Sequence, residues 1–168
     1  MQIRLFVALL LVVCVLSGCQ EKRPAGMPVL YPCEVTITQG GAPLGDADVN
    51  LMPEVGSSQW VISGHTDANG VTKIMTHGKY SGAPAGPFKV LVSKTLPVPS
   101  KYPEPGPNGT SEEWTQWSDL TRSEYRPPVR YVKPEYADVS QTPHSITISK
   151  GKNSATFDVG EAIEEIIQ

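Results

Sequence analysis

Two patterns of apolar spacing divide the chain. Leu5 to Leu16 (LFVALLLVVCVL) is apolar at every position, with no polar face. From Leu30 onward the apolar residues recur at every second position instead. Val35 and Ile37 alternate with Glu34, Thr36 and Thr38; Ala47, Val49 and Leu51 alternate with Asp48 and Asn50; Phe88, Val90 and Val92 alternate with Lys89 and Ser93; Ile146 and Ile148 alternate with Thr147 and Ser149. Successive side chains of a strand point to opposite faces, so this period predicts half-buried strands. Trp60 to Thr66 and Val71 to Thr76 add two more, and Ala155, Phe157 and Val159 supply a last inward row. The turns between them carry identifiable chemistry. Gly40-Gly41 before Pro43-Leu44-Gly45 permits a reversal, and Asp67-Ala68-Asn69-Gly70 offers residues that tolerate positive φ with an Asp able to cap its own turn. Short strands, tight turns and no βαβ alternation predict an all-β sandwich.

One segment breaks the rhythm. Thr95 to Pro134 holds eight of the sixteen prolines, so its first half is expected as an extended, polyproline-like loop. Ser111-Glu112-Glu113-Trp114 then offers an N-cap and an acidic first turn, which predicts one short helix. Tyr102, Trp114, Trp117 and Tyr125 fall on this insertion and are the candidate ligand contacts, since aromatic anchors dominate interfaces and loops carry function. The competing expectation, which the need of a long loop for anchoring favours, is that Trp114 and Trp117 fold the insertion back onto the sandwich and bury themselves there. In the tail, residues 161–168, Ile163, Ile166 and Ile167 stand at helical spacing. That spacing leaves two readings, a short docked turn or a partner-binding tail.

The unbroken apolar run has a different meaning. It follows Arg4, is too short for the roughly 20 residues that a membrane-spanning helix needs, and ends at Ser17-Gly18 before the charged Glu21-Lys22-Arg23. This is a signal-peptide pattern over residues 1–18. Leu16-Ser17-Gly18-Cys19 resembles the bacterial lipobox, which implies cleavage between Gly18 and Cys19, with Cys19 becoming a lipidated N-terminus. Such a protein is held at a membrane by acyl chains rather than by polypeptide, each buried methylene contributing about 0.8 kcal/mol. Gln20 in place of an Asp after the lipidated cysteine resembles an outer-membrane address, facing the periplasm or the cell surface. Residues 19–29, with Pro24, Gly26 and Pro28, read as a tether of at most roughly 36 Å.

The order of motifs in the remaining domain, residues 30–160, is also familiar. Val35-Thr36-Ile37 with Gly41-Ala42-Pro43-Leu44, then Ala47 to Pro53, then Thr66-Asp67-Ala68-Asn69-Gly70, then Pro84 to Val90 resembles the carboxypeptidase regulatory-like, transthyretin-like module of bacterial exported lipoproteins. Tyr136-Ala137-Asp138, the strand around Ile146 and Ile148, Gly151-Lys152-Asn153 and Phe157-Asp158-Val159 are similar to its closing part. Val71 departs from the family pattern, where the turn usually continues toward an aromatic. The resemblance implies a Greek-key sandwich of seven or eight strands, without catalysis of its own, serving adhesion, scaffolding or accessory roles.

Charge and candidate chemistry narrow this further. Loss of Arg4 with the signal leaves the 14 Lys and Arg one fewer against 17 Asp and Glu, a formal net charge of −4, and no basic stripe exists for a nucleic-acid backbone. With Cys14 removed and Cys19 alkylated, Cys33 is the one free thiol, and its parity with Val35 and Ile37 predicts a buried, inert side chain. No catalytic residue, metal ligand or cofactor is expected. The alternative is a small envelope enzyme or metal-dependent module built on His65, Asp67 and His77; a zinc site requires three or four converging ligands. No Gly-x-Ser-x-Gly elbow is present. Two enzyme families with a related sandwich are set aside on their motifs: the end Glu164-Glu165-Ile166-Ile167-Gln168 is not the Tyr-Arg-Gly-Ser of hydroxyisourate hydrolases, and no His-x-His pair of an intradiol dioxygenase occurs. Asp67 and Asn69 are too few oxygen ligands for calcium, and the Asn108-Gly109-Thr110 sequon carries little meaning in bacterial export.

Overall fold

The computed structural model describes residues Arg23 to Ile167. The expected signal peptide, the expected cleavage site at Gly18 and Cys19, and the expected lipidation of Cys19 lie outside the described residues. Among the described residues the protein is mostly β, with several antiparallel sheets and one α-helix.

The alternating segments become two sheets that enclose one core. The larger has six strands: β4 (Asp48–Pro53), β5 (Ile62–His65), β7 (Met75–Thr76), β8 (Tyr80–Ser81), β10 (Gly86–Ser93) and β13 (Ser145–Ile148), in the order β13-β10-β4-β5-β7-β8. The smaller is built on β2 (Cys33–Gln39), which pairs antiparallel with β3 (Ala42–Pro43) and β6 (Val71–Lys73) and parallel with β14 (Asn153–Asp158). Their inward rows meet as the parity predicts. Val35 and Ile37 from one sheet and Val49, Val90 and Val92 from the other are completely buried in a single cluster. Cys33 lies in the same cluster, and burial pushes its thiol up to about 11.

The strands are shorter and more numerous than expected. Trp60 to Thr66 contracts to β5, and Val71 to Thr76 splits at Ile74 into β6 and β7. The split has a structural cause. Ile74 is where the chain changes sheets: its N–H donates to the Cys33 carbonyl on one side, its carbonyl accepts from the Gly82 N–H on the other, and its side chain is completely buried between the layers. A continuous strand would leave β2 or β5 without its partner.

The turns follow their residues. Gly40 and Gly41, with φ of 58° and 81°, form a two-residue hairpin between Gln39 and Ala42, a geometry that needs positive φ twice. In the Asp67 turn the Oδ1 carboxylate oxygen accepts from the N–H groups of Asn69 and Val71 at 2.9 and 3.0 Å. Gly70 there has φ of 73°, and its carbonyl accepts from Ile37 N–H at 2.8 Å.

Strand directions give the domain two poles. Residues 23–29 lead into β1 (Leu30–Tyr31), which pairs with β9 (Ala83–Pro84) just before β10 begins at Gly86. The insertion leaves just after β10 ends at Ser93, as β11 (Thr95–Pro97) paired with β12 (Pro128–Arg130). Eight residues of β10 separate the two points by about 23 Å. The tail corrects the helical reading. It runs extended as β15 (Glu165–Ile166) along β12, with Arg130 Nη1 2.8 Å from Glu165 Oε2, because β12 offers an unpaired edge that a helical turn could not fill.

Candidate functional site

The insertion stands on the stalk of β11 and β12, and the stalk is pinned to the sandwich at its base. Tyr131 N–H donates to the Lys94 carbonyl, Gln39 Nε2 donates to the Tyr131 carbonyl at 2.8 Å, and Lys94 Nζ donates to the Gly45 carbonyl at 2.7 Å. Beyond the stalk, Glu124 closes the loop on itself. Its carboxylate accepts from Ser100 Oγ at 2.5 Å and Lys101 N–H at 3.0 Å, and these two hydrogen bonds hold its pKa below the usual carboxylate range.

The helix, α1 (Ser111–Thr121), is capped one residue earlier than expected. Thr110, not Ser111, is the N-cap: its Oγ1 accepts from Glu113 N–H while the Glu113 carboxylate accepts from Thr110 N–H at 2.7 Å. This is a reciprocal capping box, with Glu112 and Glu113 as the acidic first turn. Its Thr-x-x-Glu spacing is visible in the sequence and is the signal that places the cap correctly.

The tryptophans do not bury themselves on the sandwich. No residue of α1 is buried, and Trp114 remains 38% exposed. Instead the insertion packs on itself. Trp117 Nε1 donates to the Tyr102 carbonyl at 3.3 Å, and Trp114 meets Trp117 edge-on with ring centroids 5.9 Å apart. Gly109 is required by this packing, since a Cβ there would come within 2.8 Å of Pro105 and 3.0 Å of the Trp114 ring nitrogen. Pro103, Pro105 and Pro107 fix φ in the segment opposite the helix.

A groove of about 410 Å3 opens between helix and proline segment, lined by Tyr102, Pro103, Glu104, Pro105, Gly106, Glu113, Gln116, Trp117 and Leu120. Of the four expected contacts, Tyr102 and Trp117 line it, Trp114 supports Trp117 from outside the lining, and Tyr125 stands apart and 81% exposed. Periodicity and aromatic content did not reveal Glu104, Glu113 and Gln116, which give the groove its polar edge. The arrangement is an apolar, aromatic floor beside hydrogen-bond acceptors, suited to a ligand with one flat apolar face and several donors.

His65, Asp67 and His77 do not come together. His65 ends β5 and its Nδ1 is 3.0 Å from Asp48 Oδ1. His77 lies at the far end of the β5–β7 pairing, where its N–H donates to the Val61 carbonyl, about four strand residues or 13 Å from His65. It packs edge-on against Trp60. The Asp67 carboxylate serves its own turn. Among the described residues no three His, Cys, Asp or Glu side chains are placed to hold a metal ion together, and no helix is long and apolar enough to cross a membrane.

Comparison with protein-family models, curated proteins and solved structures finds no match to this chain.

Proposed function

We propose that the protein is a non-enzymatic, lipid-anchored module of the bacterial cell envelope that presents its insertion groove to an envelope glycan or protein. The anchor is Cys19 after removal of residues 1–18, at the outer membrane on the reading of Gln20. The sandwich is read as a Greek-key, transthyretin-like domain. Support for that topology comes from β14, which lies parallel to β2 although nearly the whole domain intervenes between them.

One observation carries the functional reading. The insertion that carries the aromatic groove leaves the sandwich at the end of β10 away from residues 23–29, which leaves Tyr102 and Trp117 free to meet a ligand while Cys19 holds the chain at the bilayer. Glycans fit the floor best: sugar rings stack their C–H faces on indole and phenol, while Glu104, Glu113 and Gln116 accept from hydroxyls.

The test is retention of the purified lipidated chain on an array of envelope polysaccharides and peptidoglycan fragments, with a pull-down from envelope extract beside it. Trp117→Ala removes a central aromatic anchor and is expected to weaken binding about tenfold or more. If neither experiment retains the wild-type chain, the groove has no such ligand and the protein is a structural spacer.

A further inference from the structure

The tether pole has a surface of its own. Val55 is 81% exposed, Val61 62% and Met52 46%. Leu51 and Ile62 point into the core, so Met52 and Val61 share the outer face of β4 and β5, while Val55 follows β4 past its end. Trp60 lies between Val55 and Val61 in the sequence, half-buried beside His77. Residues 23–29 run beside it at the strand ends, where Gly26 and Pro28 line the same hollow as Val55 and Trp60.

Charge separates the two poles. The strand ends and loops on the tether side carry Arg23, Lys73, Lys79, Lys150 and Lys152 against Glu34 and Glu54. The rest of the described chain has seven Lys and Arg against fourteen Asp and Glu. An acidic protein therefore keeps a surplus of cations at the one end where its chain leads toward Cys19.

We propose that this pole docks on an anionic bilayer surface, with Val55, Trp60 and Val61 entering the interfacial layer and Lys150 and Lys152 meeting lipid phosphates. The inference rests on the lipid anchor at Cys19. Eleven residues from Cys19 to Leu30 keep the pole within roughly 36 Å of its own acyl chains, so the local concentration of headgroups is high and weak contacts suffice. Aliphatic side chains, an interfacial Trp and basic residues are the combination that binds such a surface. Docking fixes the domain upright, and the insertion groove then faces away from the membrane by geometry rather than by chance orientation of a free tether.

The full lipidated chain carrying Trp114→Phe and Trp117→Phe retains Trp60 as its one tryptophan. It is placed in phosphatidylcholine vesicles with and without phosphatidylglycerol, the lipids brominated near the top of the acyl chains. Trp60 emission is expected to fall at least twofold in the anionic vesicles, and to recover in high salt or on Val55→Asp with Val61→Asp. A second readout avoids the tryptophan substitutions: Val55→Cys labelled with an environment-sensitive dye, Cys33 being buried, should shift to the blue on the same vesicles. Flotation with no quenching and no blue shift overturns the docking and leaves the anchor standing. A chain that fails to float and lacks acyl mass at Cys19 overturns both.

Discussion

Gly70→Ala tests whether the Asp67 turn holds the two sheets together or merely connects two strands. At φ of 73° the residue is in the left-handed region, where an L side chain costs ~1–2 kcal/mol. Space is the larger obstacle. A Cβ on Gly70 would lie well inside contact distance of the Ile37 carbonyl oxygen and 2.9 Å from Leu44 N, both backbone atoms. Relieving that contact strains two hydrogen bonds, Ile37 N–H to the Gly70 carbonyl at 2.8 Å and Leu44 N–H to the Ile37 carbonyl at 3.0 Å, each worth roughly 0.5–1.5 kcal/mol net. The loss should total about 2–5 kcal/mol, a large part of the stability of an ordinary domain. Gly40→Ala is the control, because φ is 58° there and nothing lies within 4 Å of the added Cβ, so only the conformational cost of ~1–2 kcal/mol applies. Urea denaturation of both variants measures the difference. Equal losses would show that the approach of Gly70 to β2 contributes nothing, and the reasoning would be refuted.

Other outcomes follow from single side chains. Thr66 is buried, its hydroxyl donating to the Leu44 carbonyl at 2.7 Å and accepting from Ala47 N–H at 2.9 Å; Thr66→Val should cost about 2–4 kcal/mol by leaving both groups unpaired, and Thr66→Ser much less, in the same urea series. Cys33 should resist maleimide at pH 8 in the native state and react on unfolding, followed by mass shift, since burial raises its pKa to about 11. His144 is half-buried between Tyr136 and Phe157 and its pKa is lowered, chiefly by desolvation. The unfolded chain then takes up the proton more readily, so its contribution to stability is present above the ordinary histidine pKa and is lost as pH falls through the histidine range. Melting temperature should drop across that range, and His144→Gln should flatten the slope.

Much of the architecture is legible in the sequence because a period of two is a local signal. Val35, Ile37, Val49, Val90 and Val92 reach the core that their parity assigns them, and Asp67 to Gly70 form the turn that their side chains allow. What is not local is harder to read. The break at Ile74 depends on which sheet each half of the strand joins, which periodicity does not encode. Ile163, Ile166 and Ile167 have helical spacing, yet the open edge of β12 draws the tail into a strand. For the groove, aromatic residues on a proline-rich loop mark the segment that forms it. They do not encode that Trp117 bonds the Tyr102 carbonyl and meets Trp114 edge-on, because that depends on the shape of the whole loop.

Mass spectrometry of the mature N-terminus, together with membrane fractionation of wild type and Cys19→Ser, bears most directly on the whole account. A first residue of Cys19 carrying diacylglyceryl mass, with the wild type in the membrane pellet and Cys19→Ser released as a soluble chain, is the predicted result. An unmodified thiol at the processed start, or a Cys19→Ser chain that stays with the membrane, would contradict it.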